Sequence, residues 1–360
     1  MKIFLAPNPL VILFATTVLA QSAPQVQFSN TKEGLRGVSA VSRNVAWASG
    51  THGTYLRTTD GGRNWIPEQV PGAESLDFRA VVAFSADEAF LMSAGPGEQS
   101  RIYHTSDAGR HWQLQFTNTN PTGFFDSMVF WDRTHGIVLG DPIPDDKGKL
   151  KFELLMTADG ETWTPIPPDR LPPALEGEGA FAASNTCLAI LASNVVASAP
   201  DSNIWFATGG KVARVFHSAD RGKSWEVYDT PVIHGVDSAG IFSIAFRDAM
   251  HGVIAGGDYK HPDQDGPNLA FTNDGGKTWT LSQIFPQSYY SAVAYDRRRE
   301  AAHPRLFLVG PKFVYDFRPP KNPTRISAHS KSEVQFNAVA PYLEGGALIV
   351  GPKGTIATVP

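Results

Sequence analysis

Apolar residues in this chain come in short runs separated by polar turns, and the runs either alternate or stay apolar throughout, as half-buried and fully buried strands do. Residues 78–116 show the pattern: Phe78-Arg79-Ala80-Val81-Val82-Ala83-Phe84, then Ala89-Phe90-Leu91-Met92-Ser93-Ala94-Gly95, then Ile102-Tyr103-His104, then Trp112-Gln113-Leu114-Gln115-Phe116. Four strands in about 45 residues make one blade of a β-propeller. Comparable units open at Leu35-Arg36-Gly37-Val38, Phe125-Asp126-Ser127-Met128, Glu178-Gly179-Ala180-Phe181, Phe242-Ser243-Ile244, Tyr290-Ser291-Ala292-Val293 and Phe336-Asn337-Ala338-Val339. No long stretch has helical period.

The polar punctuation is itself repeated. The pattern T-x-D-x-G-x-x-W occurs at Thr58, Asp60, Gly62, Trp65 and again at Thr105, Asp107, Gly109, Trp112. It returns shortened at Thr157, Asp159, Gly160, Trp163, then at Ser218, Asp220, Gly222, Trp225 and at Thr272, Asp274, Gly276, Trp279. The aspartates are about 47, 52, 61 and 54 residues apart, the long end of periods that mean propellers or solenoids. A carboxylate two residues after a hydroxyl can accept turn amides, glycine takes positive φ, and tryptophan starts the next strand on its buried side. The last unit runs out one strand short, and the alternating residues 25–29 are placed to supply it, which would remove the ring's open edge. The expected fold is all-β: a single seven-bladed propeller over residues 21–360, with four-stranded antiparallel blades closed by the N-terminal strand.

The first twenty residues change the picture of where it works. Lys2, an apolar run from Leu10 to Ala20 and the sequence Val18-Leu19-Ala20 before Gln21 read as a signal peptide, with cleavage after Ala20. The run is too short to span a bilayer, and no cysteine stands near it for a lipid anchor. The expectation is a periplasmic or secreted, monomeric protein. With Lys+Arg 31 against Asp+Glu 35, and no basic cluster beyond Arg297-Arg298-Arg299, nucleic acid is excluded as a partner class. A single cysteine, Cys187, excludes an internal disulfide, and its apolar neighbours Leu188-Ala189-Ile190-Leu191 make it a buried strand thiol.

In a blade, the lead-in to the innermost strand and the loop between strands two and three lie on one face, opposite the repeated turns. Aligning the lead-ins places Arg36, Arg79, Asp126, Glu178 (or Gly179), Ser243, Ser291 and Asn337 at the channel mouth, with His52, Asp141, Asp258, Lys312 and Lys353 on the adjoining loops. Insertions at residues 141–151, 170–175, 193–202 and 259–268 lengthen the loops between and within units, and long loops are where recognition concentrates. Two readings stand: the charges pair with one another across blades, or they form a docking surface in which Arg36 and Arg79 bind anionic groups while Asp126, Asp141, Glu178, Asp258, Lys312 and Lys353 complete the contact.

The repeated turns resemble the Asp-box, or BNR repeat, of sialidase-like propellers, which implies a structural role for Asp60, Trp65, Asp107, Trp112, Asp159, Trp163, Asp220, Trp225, Asp274 and Trp279. More of the chain resembles the photosystem II assembly and stability factor family and its bacterial relatives outside photosynthesis. The residues that carry this are Leu35-Arg36-Gly37-Val38, Phe130-Trp131-Asp132 with Gly136 and Gly140-Asp141-Pro142, residues 177–184, Thr208-Gly209-Gly210 and Gly240-Ile241-Phe242-Ser243-Ile244-Ala245-Phe246. That resemblance implies a non-catalytic propeller that binds a protein partner through an arginine-bearing face.

The rival class is a glycoside hydrolase acting on an extracellular glycan. Asp126 and Glu178 are its candidate catalytic carboxylates, with Asp141 nearby; a sialidase would use Arg36, Arg79 and Tyr289 or Tyr290, yet the Phe-Arg-Ile-Pro segment of such enzymes is absent. No cofactor is expected, since no Gly-rich dinucleotide fingerprint precedes a helix. No metal is expected either, because the ten histidines are scattered and the acidic loops 141–146 and 263–266 lack a spaced ligand set.

Overall fold

The computed structural model describes residues 24–191, 202–283, 288–298, 305–311, 313–317, 324–326 and 335–360. The expected signal peptide, Lys312, Arg299 and residues 193–201 of the third insertion lie outside the described residues. Seven antiparallel sheets form the ring, and within each of the first six blades the strands run outward in chain order. Blade one contains Leu35–Ala40, Ala46–Gly50, Thr54–Thr58 and Ile66–Gln69. The inner strands of the others are Asp77–Ala83, Phe125–Phe130, Leu188–Ile190, Ala239–Phe246, Ala292–Tyr295 and Ala338–Pro341.

Middle strands such as Ala89–Ala94 and Ile204–Ala207 are buried on both faces, which is why their sequences are continuously apolar. The core is divided accordingly. Each of seven apolar clusters fills the seam between two neighbouring blades: Trp47 and Tyr55 of blade one against Phe78 and Leu91 of blade two, for instance, or Phe152 of blade three against Phe206 and Phe216 of blade four. Each fully buried leucine or phenylalanine in a seam contributes about 1.5–3 kcal/mol.

The repeated turns lie between third and fourth strands. Thr58 Oγ1 donates to Asp60 Oδ1 at 2.9 Å and accepts from the Gly62 amide, while Asp60 Oδ1 accepts the Asn64 amide at 2.9 Å. Equivalent bonds recur at Asp107, Asp159, Asp220 and Asp274. The tryptophans then seal the seams: Trp163 Nε1 donates to Gln115 of the preceding blade at 3.0 Å.

Ring closure is as the sequence predicts. Gln25–Gln27 pairs antiparallel with Thr355–Val359 as the outer strand of blade seven, in the register Gln25 to Thr358 and Gln27 to Ile356. Gln27 also bridges to blade one, donating to Gly61 O at 3.0 Å and accepting from Trp65 Nε1 at 2.9 Å.

Blade four corrects one expectation. Its inner strand is Leu188–Ile190, not the segment starting at Glu178. Glu178–Gly179 instead pairs with Gly209–Gly210, which in turn meets Gly240, extending the blade-five sheet to six strands. The glycines permit this stacking: a Cβ on Gly209 would lie 2.3 Å from the Phe181 ring and 2.9 Å from Ala239 O.

Candidate binding site at the channel mouth

Inner strands of four blades carry a β-bulge at their first turn. The ladder shifts register between Leu35 and Gly37, Phe78 and Ala80, Phe125 and Ser127, and Ile241 and Ser243. The residues left out of the pairing are Arg36, Arg79, Asp126 and Phe242. A bulge re-aims a side chain that regular pleating would send into a seam, and these four converge on the channel mouth. A fifth bulge, between Gly140 and Pro142, does the same for Asp141.

Across this mouth runs a strap, residues 178–186, tied to inner strands on several sides. Arg79 Nη1 of blade two donates to Ala182 O at 2.9 Å, and the Ala180 amide donates to Asp141 Oδ1 of blade three at 2.9 Å. Asn185, in the left-handed region at φ 61, accepts from the Met128 amide at 2.7 Å and donates to Met128 O. Thr186 Oγ1 donates to Ser243 Oγ of blade five at 2.7 Å, and Ser184 Oγ to Ser291 O of blade six at 2.8 Å. The strap therefore ties blades two, three, five and six together across the mouth, and the side chains gathered against it form a cup.

One side of the cup is charged. Arg79 Nε donates to Asp77 Oδ2 at 2.8 Å, whereas Arg36 Nε and Asp77 Oδ1 have no hydrogen-bond partner. Burial, and then the neighbouring Arg79, lower the pKa of Arg36. The Asp126 carboxyl is 1% exposed and neither of its oxygens completes a hydrogen bond. Burial first and Asp141 second push it well above the usual carboxyl range, against a weaker opposing pull from Arg79 and the Ala182 amide. Burial also pushes Asp141 up to about 6 despite the bond from Ala180. The other side is aromatic: Phe181 stacks on Phe242 at 3.9 Å, Phe242 meets Tyr289 edge-on at 4.8 Å and Tyr259 at 6.1 Å, and Tyr259 is 48% exposed.

Arg36, Arg79, Asp126 and Asp141 are thus brought together, and Asp77, Phe181, Phe242, Tyr259 and Tyr289 join them. Glu178 is not part of the cup. It is fully buried in an ion pair with Arg214 (2.5 and 3.0 Å) and accepts from Thr208 Oγ1 at 2.7 Å and the Leu175 amide at 2.8 Å. These four bonds occupy both of its oxygens and hold it away from the residues gathered at the mouth. Asp258 is buried against His261 at 2.8 Å, and Lys353 stands exposed in a blade-seven turn. Ser243, Ser291 and Asn337 tie neighbouring segments together rather than line the channel, Asn337 donating to Leu35 O at 2.8 Å. His52 pairs with Glu33 at 2.7 Å. Phe242 could have been read from the sequence, since it holds the place in Gly240-Ile241-Phe242 that Arg36 holds in Gly34-Leu35-Arg36.

The Photosynthesis system II assembly factor YCF48 family profile matches residues 19–123. The photosystem II stability/assembly factor HCF136, chloroplastic, of Oryza sativa subsp. japonica is 37% identical over 67 residues, which are 18% of this chain and 15% of that relative's length. Among solved structures, YCF48 bound to D1 peptide superposes with a TM-score of 0.64 at 14% identity, over 95% of this chain and 98% of that one. The chain is a seven-bladed β-propeller, and its residues 19–123 are similar to that assembly-factor family. The GH74 xyloglucanase of Xanthomonas campestris also superposes, with a TM-score of 0.61 at 16% identity, over 93% of this chain and 53% of that enzyme. At these identities the two solved structures speak to fold alone. Among the described residues no cluster of His, Cys, Asp and Glu side chains is placed to hold a metal, and no helix is long and apolar enough to cross a membrane.

Proposed function

We propose that the chain is a protein-binding assembly module that works outside the cytoplasm and docks a segment of its partner in the cup at the channel mouth. The observation that carries this reading is the unpartnered Nε of Arg36, beside Arg79 and facing an aromatic wall that ends in exposed Tyr259. A part-buried guanidinium with a free donor suits an anionic group, and the aromatic side suits an apolar side chain next to it. The D1 peptide bound by the structurally similar YCF48 supports a polypeptide occupant, and the apolar run from Leu10 to Ala20 supports export.

Arg36 gives the cleaner test, because Arg79 also holds the strap. Crosslinked pull-downs from the native envelope fraction should capture a defined partner with the mature protein and lose it with Arg36→Gln, while both proteins melt alike. Equal capture by the two would overturn the site.

A glycoside hydrolase acting on an extracellular glycan is the second reading, favoured by the adjoining Asp126 and Asp141, whose raised carboxyls resemble an acid poised to donate. Its test is turnover of xyloglucan oligosaccharides that stops in Asp141→Asn.

A further inference from the structure

The strap is secured over two acidic groups that the docking reading does not use as contacts. Asp126 lies directly beneath it, with Arg79 facing it from blade two, Asp141 from its own blade and the Cys187 thiol from the lead-in to blade four. Arg79 is the cation nearest to Asp126, yet its guanidinium is already bound to Asp77 and to Ala182 O, and Arg36 beside it carries the same charge. Asp141 receives the Ala180 amide from the strap itself.

We propose that Asp126 and Asp141 form a proton-operated latch: a proton held by the pair fixes residues 178–186 across the channel, and ionisation of both carboxyls loosens the strap. Asp126 is closed off from water and Asp141 beside it is partly so; without a dedicated counter-charge the two are not both ionised without a cost in desolvation and repulsion. Lifting the strap exposes them to water, where each titrates near about 3.9. The closed form therefore binds protons more tightly than the open one. Closure is strongest at acid pH and weakens as pH climbs through about 6, where Asp141 ionises, and further as Asp126 follows. For docking, a consequence that rests on the reading above, loosening releases Arg79 from Ala182 and alters the cup.

Amide hydrogen exchange on the free mature protein tests the latch without any partner, so a failed docking hypothesis leaves it standing. Rates at Ala180, Ala182 and Asn185 are divided by the intrinsic rates at each pH from 5 to 8. Protection of these amides falls by about tenfold or more across that range, because between the open-form and closed-form pKa of each carboxyl every pH step of one makes closure about tenfold less favourable, and above the closed-form value the change levels off, while Leu91 and Ile254 in central strands stay unchanged. Asp126→Asn and Asp141→Asn, which mimic the protonated groups, each lower the slope on their own, and the double variant keeps the acid level of protection at pH 8. Protection that does not vary with pH in the wild type would overturn the proposal, as would an undiminished fall in the Asp126→Asn, Asp141→Asn double variant.

Discussion

The ion pair of Glu178 and Arg214 anchors one end of the strap, and its removal has a calculable cost. In Arg214→Met the Glu178 carboxylate, whose side chain is fully buried, loses two bonds from the guanidinium and keeps only those from Thr208 and Leu175. Stranding one member of such a pair costs about 3–5 kcal/mol. Unfolding entropy of about 2.1 cal/mol/K per residue over roughly 340 residues is about 0.7 kcal/mol/K, so the melting temperature should fall by about 4–7 °C. Glu178→Leu added to Arg214→Met removes the stranded charge and should recover most of that loss, giving a strongly non-additive cycle. Differential scanning calorimetry on the four proteins measures it. A melting temperature for Arg214→Met within a degree of the wild type would refute the reasoning and return Glu178 to the groups free to bind a ligand.

Two further predictions concern the ring. In the second repeated turn the His111 ring, and then its amide, hold the Asp107 carboxyl down to about 2; because the folded value lies below the unfolded one, this stabilisation is complete above about pH 4 and is lost as pH falls through 2. Asp107→Asn should therefore melt below the wild type at pH 7, with the gap closing by pH 2, and a constant gap in melts from pH 2 to 7 would count against the assignment. Deleting residues 24–28 removes the outer strand of blade seven together with the Gln27 bridge to Gly61 and Trp65. The opened edge should lower the melting temperature and produce concentration-dependent oligomers in light scattering; a stable monomer would show that the seam is dispensable.

Blade number, the place of the repeated turns and the closing strand were all legible, because each rests on local chemistry: alternation, a hydroxyl two residues before a carboxylate, a glycine, a tryptophan. Arg36, Arg79 and Asp126 were legible for the same reason, as polar residues where a strand begins. The ion pair of Glu178 was not legible, because its partner Arg214 is distant in sequence and follows a glycine turn that no pattern links to it. The same separation in sequence displaced the blade-four strand: Glu178-Gly179-Ala180-Phe181 looks like the start of an inner strand, but its glycines fit it to lie against Gly209 and Gly210 instead. Ser243 was chosen over Phe242 because alternation counts a regular ladder, and a bulge shifts the count by one residue.

The seam that pairs residue 25 with residue 358 also sets when the molecule can be finished. In every other blade the four main strands come from one continuous stretch and can zip as soon as they exist, whereas blade seven waits for two segments at opposite ends of the fold to find each other. Forming that contact closes the largest loop in the molecule for only three residue pairs. The ring should thus assemble blade by blade into an open arc that ring closure completes last and slowly.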